Sequence, residues 1–264
     1  MSLRQLFTAI EQDEWVDIPQ GWLQGRTIYG GLVAGMMMHK ALLAVADAEK
    51  QLLSTSVTFV GPVQLAPVRL SAEILRQGKS VTTVEVRLWQ DDAVQSILIA
   101  SFGMHRQSTI SVQQERLAPE FPMPEQLNIA EHHPLAPECF GQMDLVWVDG
   151  QYPCTGSVKP DFSGWMRFNP DRHDNREMSI ADLMVAFDMW PPGVLPMFNT
   201  FAPASSLTWH VTYVHPLNSH LHDWFKYKVF TDYAAEGYST EYAHLWDAAN
   251  RLIAISRQTV TVFA

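Results

Sequence analysis

The chain has 264 residues, 47% of them hydrophobic and 17% charged, which suits two small folded domains and does not fit a disordered chain. Its formal net charge is −10, and Lys and Arg are spread thinly, which argues against a nucleic-acid-binding surface. Two cysteines, Cys139 and Cys154, are too few for a disulfide scaffold or a structural zinc site, so we expect reduced thiols in a cytoplasmic protein.

The first half of the chain predicts one helix followed by four strands. The N-terminal segment is too acidic for a signal peptide, and no apolar run reaches the ~18 residues of a membrane span. Residues 31–43 are apolar nearly all round, which is typical of a helix buried on most sides. Runs rich in Val, Ile, Thr and aromatic residues then predict strands over 54–60, 68–76, 81–90 and 96–106.

The middle of the chain, residues 107–140, has a different composition. It is rich in Pro, Glu, Gln and His. Such a segment forms no packed core of its own, and we interpret it as a linker between the two halves.

The second half repeats the layout of the first. An apolar segment over 179–190 predicts a second buried helix. Strands are predicted over 206–214, 224–233, 239–247 and 251–263.

Short sequence matches indicate that the two halves are copies of one unit. VTFVGP at 57–62 corresponds to VTYVHP at 211–216, 154 residues later, and Leu88-Trp89 corresponds to Leu245-Trp246, 157 residues later. A helix followed by antiparallel strands predicts an α+β unit with a sheet wrapped on one central helix. Two such units in tandem predict a double hotdog, with domains at 1–106 and 141–264 and one continuous sheet.

Three residues of the second half are candidates for chemistry. Asp188 stands in the apolar segment MVAFDMWPPG, where burial would raise the pKa of its carboxyl unless hydrogen bonds offset that effect. Ser206 begins a predicted strand, and Gln258 lies on the last one. Each also has an ordinary interpretation: a helix-end cap for Asp188, a strand-start hydrogen bond for Ser206, and a solvent-facing position for Gln258.

The second half resembles the bacterial acyl-CoA thioesterase II family and its double-hotdog relatives. The features that match are Asp188 in FDMWPP, Ser206 ten residues before the proline of SLTWHVTYVHP, and Gln258 in IAISRQ. The first half resembles the family's first hotdog through GRTIYGGLVAGMMMHKAL and SVTFVGPVQLAPVRLSAEILRQGKS. The family usually has Thr where Ser206 stands, and Thr208, which the period of two predicts on the same strand face, is the alternative hydroxyl.

The resemblance implies an acyl-CoA substrate and hydrolysis by a water molecule. Asp188 would act as general base or orient the water, and Ser206 and Gln258 would hold it by hydrogen bonds. The thioester carbonyl would face N–H groups at the start of a central helix, where Gly30 and Gly31, preceded by Tyr29, would allow close approach of the substrate. Tight packing of helix on sheet explains the two glycines equally well.

Further expectations concern the rest of the binding site. Met36 is a candidate for lining an acyl tunnel, although ordinary core packing is the more common reason for a Met on a buried helix. The first half has no acid between Gly30 and Leu43, and Gly103 aligns with Gln258, so we expect one active site per chain. We expect no metal and no other cofactor, and by analogy a homodimer or larger homo-oligomer.

Two other functions stay open at this point. Asn169-Pro170-Asp171-Arg172-His173 is similar to the Asp/His loop of hotdog enoyl-CoA hydratases, although the leading Asp is replaced by Arg167. For that chemistry His173 would have to approach Asp188. Alternatively the chain is a binding module for acyl-CoA without catalysis, for which its Trp and His content is suitable.

Overall fold

The structure, a computed structural model, describes residues 1–130 and 136–263. Within these residues it forms one large antiparallel sheet with helices packed on its inner face. The helices are α1 Leu3–Gln12, α2 Gly30–Val45 and α3 Ile180–Phe187. The strands are β1 Trp15–Val16, β2 Leu23–Gln24, β3 Thr27–Ile28, β4 Gln51–Phe59, β5 Val68–Gln77, β6 Val81–Gln90, β7 Ala93–Gly103, β8 Met143–Gly150, β9 Phe162–Phe168, β10 Ala204–Tyr213, β11 Phe225–Ala235, β12 Tyr238–Trp246 and β13 Leu252–Val262.

The two halves join through their first long strands. The sheet order is β1-β5-β6-β7-β4-β10-β13-β12-β11-β9-β8, so β4 of the first half pairs with β10 of the second. This pairing is antiparallel, with Trp209 opposite Val57 and Val211 opposite Thr55. All four side chains point inward and are buried. The predicted double hotdog with one continuous sheet is therefore confirmed.

The two central helices pack against each other beneath this junction. α2 is buried on nearly all faces because its sequence has almost no polar residues to present to water. Gly35 permits the contact, since a Cβ there would lie 2.9 Å from the Ala181 carbonyl oxygen and collide with Val185. The helices of the two halves thus share one hydrophobic core.

The eight predicted long strands and both apolar helices are present, with ends that differ by a few residues. The sequence reasoning missed α1, and it missed β8 and β9, which extend the sheet beyond β11. α1 is amphipathic and begins at a capping box formed by Ser2 and Gln5, which is a readable signal for a helix start.

The segment predicted as a linker crosses the outer face of the second half, and its residues 131–135 lie outside the described part of the chain. The Trp246 indole donates to the Arg116 carbonyl at 2.9 Å, and the Trp165 indole donates to the Pro122 carbonyl at 3.0 Å. The Arg116 guanidinium also lies over the Phe230 ring, 4.6 Å from its centroid. These contacts tie the segment to the sheet. The domain limits themselves stay a prediction.

Candidate active site

Asp188 is the residue at which α3 ends. The helix stops at Phe187, earlier than predicted, because Pro191 and Pro192 follow within four residues and cannot continue the helical hydrogen bonding. Asp188 keeps part of its surface accessible, whereas its chain neighbours Phe187 and Met189 are buried. Asp188 therefore stands at the edge of the core.

Gln258 joins Asp188 to Ser206. Its amide nitrogen donates to Asp188 Oδ1 at 2.8 Å and to Ser206 Oγ at 2.7 Å. A carboxylate only accepts hydrogen bonds, so the amide nitrogen must face it and the amide oxygen points elsewhere. Because Ser206 accepts from Gln258, its hydroxyl hydrogen is free to donate to a bound molecule. The three residues predicted as a set lie together.

Thr208 does not join this cluster, and the expectation that it shares a strand face with Ser206 is wrong. The β10–β13 register shifts between Ser206 and Thr208, which marks a β-bulge at Leu207. The extra residue reverses the alternation, so Ser206 shares the inner face with buried Trp209 while Thr208 is exposed on the outer face. The period of two holds only in a strand without a bulge.

The start of α2, from the first half of the chain, lies against Asp188. The Gly31 N–H faces the Asp188 carboxyl and lowers its pKa. A Cβ on Gly30 would lie 3.0 Å from Asp188 Oδ2 and 3.4 Å from the Phe59 ring. The N-cap residue Tyr29 supplies no side-chain hydrogen bond to the first turn, and the helix dipole favours negative charge at this terminus.

Burial changes the acidity of Asp188. It raises the pKa of this carboxyl to about 7, while the hydrogen bonds from the Gln258 side chain and the Gly31 N–H act in the opposite direction. A base that works near neutral pH needs a pKa in this range, and carboxylates in active sites reach it by burial.

Tyr29 and Met36 have different surroundings from those predicted for residues that contact substrate. The Tyr29 hydroxyl donates to the Val185 carbonyl oxygen at 2.7 Å, and the side chain is 1% exposed. This bond fixes the start of α2 against α3, so Tyr29 positions the glycines that follow it. Met36 is fully buried nearly two turns into α2, and its place in an acyl tunnel stays a prediction.

His173 lies in a separate buried environment. Its Nε2 is 3.1 Å from Gln142 Oε1, and its ring packs edge-on against Phe168. Burial lowers the pKa of His173 to about 4, so the ring is neutral at physiological pH. No hydrogen bond among residues 1–130 and 136–263 joins His173 to Asp188, as hydratase chemistry would require.

Sequence reasoning missed Glu241, a buried acid on β12. It lies opposite Gln258 in the β12–β13 register and is 3% exposed. The internal repeat contained a signal for it. The interval of 157 residues that joins Leu88 to Leu245 also joins Val84 to Glu241, so a carboxyl replaces a core valine.

The same register corrects the predicted counterpart of Gln258. Val84 pairs with Ala100 in the first half as Glu241 pairs with Gln258 in the second. Ala100 is therefore the structural equivalent of Gln258, and Gly103 is not. Sequence offsets between repeats drift by a few residues where turn lengths differ, and only strand pairing fixes the correspondence.

Neither a metal site nor a membrane-spanning helix is found in the part of the chain that the structure describes. There, no group of three or more His, Cys, Asp or Glu residues is arranged to hold a metal ion. The helices of this part are also too short or too polar to cross a membrane. The absence of a metal and the cellular compartment both stay predictions.

Comparison with family models gives two matches. Residues 18–103 match the model described as the acyl-CoA thioesterase N-terminal domain, and residues 115–262 match the model of the acyl-CoA thioesterase C-terminal domain. A search of the curated proteins found no match.

Solved structures share the whole fold with this chain. A hot dog-fold protein of unknown function from Alicyclobacillus acidocaldarius is 19% identical with a TM-score of 0.81, over 95% of this chain and 92% of that one. A tesB protein from Mycobacterium avium subspecies paratuberculosis is 15% identical with a TM-score of 0.76, over 100% of both chains. An acyl-CoA thioesterase II from Mycobacterium marinum is 19% identical with a TM-score of 0.71, over 94% and 91%. At these identities the likeness shows the fold alone.

Proposed function

We propose, from the premise that this chain belongs to the acyl-CoA thioesterase family, that it hydrolyses an acyl-CoA thioester to the free acid and coenzyme A at the Asp188 cluster. The observation that carries the proposal is the pair of hydrogen bonds from one Gln258 amide group to Asp188 and Ser206. They leave a proton acceptor and a hydroxyl donor side by side, which is what a nucleophilic water needs.

In this mechanism a water molecule lies between Asp188 and Ser206. It donates one proton to the Asp188 carboxylate and accepts a hydrogen bond from the Ser206 hydroxyl. Gln258 keeps both partners at a fixed separation, so the water's lone pair points toward one position. Asp188 removes the proton as the oxygen attacks the thioester carbon, and a pKa near 7 makes that transfer efficient at neutral pH. Collapse of the tetrahedral intermediate then breaks the C–S bond, and the coenzyme A thiolate leaves and takes up the proton that Asp188 holds, which restores the carboxylate.

The start of α2 supplies the site for the negative charge that develops on the thioester oxygen. We place the carbonyl against the Gly30 N–H at the start of α2, where the helix dipole favours an oxyanion. Glycine at position 30 leaves room for the acyl group next to Asp188 Oδ2 and the Phe59 ring. The base thus comes from one half of the chain and the oxyanion site from the other.

The surroundings of Cys139 and Ser206 favour a water nucleophile over a covalent acyl-enzyme intermediate. Cys139 is fully buried, and burial raises the pKa of its thiol well above the usual range, so it stays protonated and unreactive. Ser206 accepts its hydrogen bond from an amide, and no histidine among the described residues activates it as a nucleophile.

The test is release of coenzyme A from a panel of saturated, branched and aromatic acyl-CoAs, followed with a thiol reagent. We expect turnover of at least one member at neutral pH. Binding of acyl-CoAs by calorimetry without any release would instead support a binding module. Hydration of an enoyl-CoA without thiol release would support a hydratase. Light scattering on the same sample checks the predicted homo-oligomer.

A further inference from the structure

A row of three side chains crosses the inner face of the second-half sheet. Thr231 on β11 pairs with Glu241 on β12, which pairs with Gln258 on β13. Directly opposed residues of antiparallel strands point to the same face, so the three side chains lie side by side. The row leads from the interior of the second half to the hydrogen bond between Gln258 and Asp188.

The corresponding row in the first half is apolar. Ile74 pairs with Val84, and Val84 pairs with Ala100, in the same strands and the same order. A charged carboxyl group at the position of a core valine carries a large desolvation cost, so Glu241 calls for a specific structural or functional reason. The inner face of the second half therefore carries a polar row where that of the first half carries an apolar one.

Glu241 holds the turn that follows Asp188. Its Oε2 accepts a hydrogen bond from the Gly193 N–H at 2.8 Å. Gly193 fits against the sheet only as glycine, because a Cβ would lie 2.8 Å from Thr231 Oγ1. Between Asp188 and Gly193 in the chain, Trp190 stacks on Tyr227 of β11 with ring centroids 5.2 Å apart. The five residues after Asp188 are thus tied to the strands at two points.

We infer that Glu241 is a positioning residue of the candidate active site, which fixes the turn 189–193 so that Asp188 meets Gln258. The same residue stands beside Gln258 on one strand and holds the chain of Asp188 through Gly193. It therefore sets the distance between the base and the amide that orients it. The inference about positioning stands on this geometry, and its effect on rate rests on the proposed function.

The charge of Glu241 provides a readout that packing alone would not give. The titratable groups that face it are Asp188 after α3, Asp161 before β9 and Tyr227 on β11. Burial raises the pKa of Glu241 to about 8; the Gly193 N–H lowers it, and the charges of Asp161 and Asp188 raise it further. Two buried carboxyls with raised pKa values, Asp188 and Glu241, therefore lie near each other, and the charge of one affects the ionisation of the other.

Ionisation of Glu241 at alkaline pH would add a second negative charge near Asp188 and oppose the negative charge that develops on the thioester. We therefore expect kcat to fall on the alkaline side. In Glu241→Gln the amide oxygen still accepts from Gly193, so we expect kcat at pH 7 within about threefold of wild type and no alkaline fall. In Glu241→Ala the anchor is lost, and we expect kcat to drop at least about tenfold with little change in KM.

Glu85 on β6 is the matched control, because it is a glutamate on the corresponding first-half strand but on the opposite face of the sheet. Glu85→Gln and Glu85→Ala should leave both rate and pH profile unchanged. An alkaline limb that persists in Glu241→Gln would overturn the inference. So would a wild-type rate in Glu241→Ala.

A second measurement needs no turnover. The side-chain amide signals of Gln258 in ¹⁵N NMR should show two inflections with pH in the wild type and one in Glu241→Gln, because the amide contacts Asp188 and lies beside Glu241. Identical titrations in both proteins would refute the coupling. If no acyl-CoA is hydrolysed, the proposed function fails, while the NMR result still decides whether Glu241 acts on this site.

Discussion

The two halves of the chain build the same frame and place different side chains on it. The resemblance extends to irregularities: a bulge at Leu53 in β4 corresponds to one at Leu207 in β10, and a bulge at Leu75 in β5 corresponds to one at Asp232 in β11. Bulges set strand curvature and face, so their repetition means that both sheets bend alike. The backbone alone therefore cannot explain why one half carries the cluster.

The difference lies in single positions of the inner face. Leu52 in β4 corresponds to Ser206 in β10, next to the repeated bulge, and Ala100 corresponds to Gln258. The acid is also unmatched, since α2 has no Asp or Glu. The comparison shows that a few polar substitutions on an otherwise apolar face are sufficient to turn a structural unit into a candidate active site.

The N-termini of the two central helices differ in how they are capped. α3 caps itself: Ser179 and Asp182 form a capping box, and Arg176 binds the Asp182 carboxylate through two hydrogen bonds of 2.8 and 2.7 Å. α2 has no side-chain cap, and its Gly31 N–H meets Asp188. One helix terminus is satisfied by its own residues and the other faces the cluster, which supports a single site per chain.

Replacing Asp188, the one acid of the cluster, should lower kcat more than any other substitution in either half. Asp188→Asn keeps the shape and the hydrogen bond from Gln258 but removes the base, so we expect kcat to fall by at least about 100-fold. Steady-state release of coenzyme A measures it, with thermal melting to verify folding. A variant that keeps the full rate would remove Asp188 from the mechanism and leave the two halves without a functional difference.

The shared core of the two halves should be sensitive at the helix crossing. A methyl group at Gly35 would lie against the Ala181 carbonyl oxygen and Val185, so Gly35→Ala should lower the free energy of unfolding by about 2 kcal/mol. Chemical denaturation measures the change. Gly141→Ala is the control, because a Cβ there meets nothing within 4 Å. Equal stability of both variants would show that α2 and α3 are less tightly packed than described.

Acid should switch the cluster off while the frame stays folded. Asp188 accepts a proton only when ionised, and burial raises its pKa to about 7, so activity is present above that value and lost below it. We expect kcat/KM to fall by about tenfold per pH unit once the pH is well below 7. A flat profile between pH 8 and pH 5.5, with unchanged circular dichroism, would contradict Asp188 as the base.

The bulge at Leu207 can be tested through the two hydroxyls on either side of it. Ser206→Ala removes the donor to the water, and we expect about a tenfold loss of kcat. Thr208→Ala changes an exposed side chain on the outer face, so its rate should stay within about twofold of wild type. The reverse order would mean that the register of β10 differs from that described.

Local sequence determined much of the frame. Alternation and β-branched residues identified the long strands, the apolar segments identified α2 and α3, and the VTFVGP and VTYVHP matches identified the repeat. These signals are local, because side-chain period and backbone preference act over a few residues. The short strands β1 to β3 and the edge strands β8 and β9 were missed, since two-residue strands and mixed apolar runs give weak periodicity.

The candidate site was predicted in part, through a resemblance that named Asp188, Ser206 and Gln258 and left their arrangement open. Tertiary structure alone decided that Ser206 and not Thr208 faces inward, because a bulge is a property of strand pairing. It also decided that Ala100 occupies in the first half the position that Gln258 occupies in the second, and that Glu241 stands beside the cluster. Register joins residues far apart in sequence, and no local period encodes it.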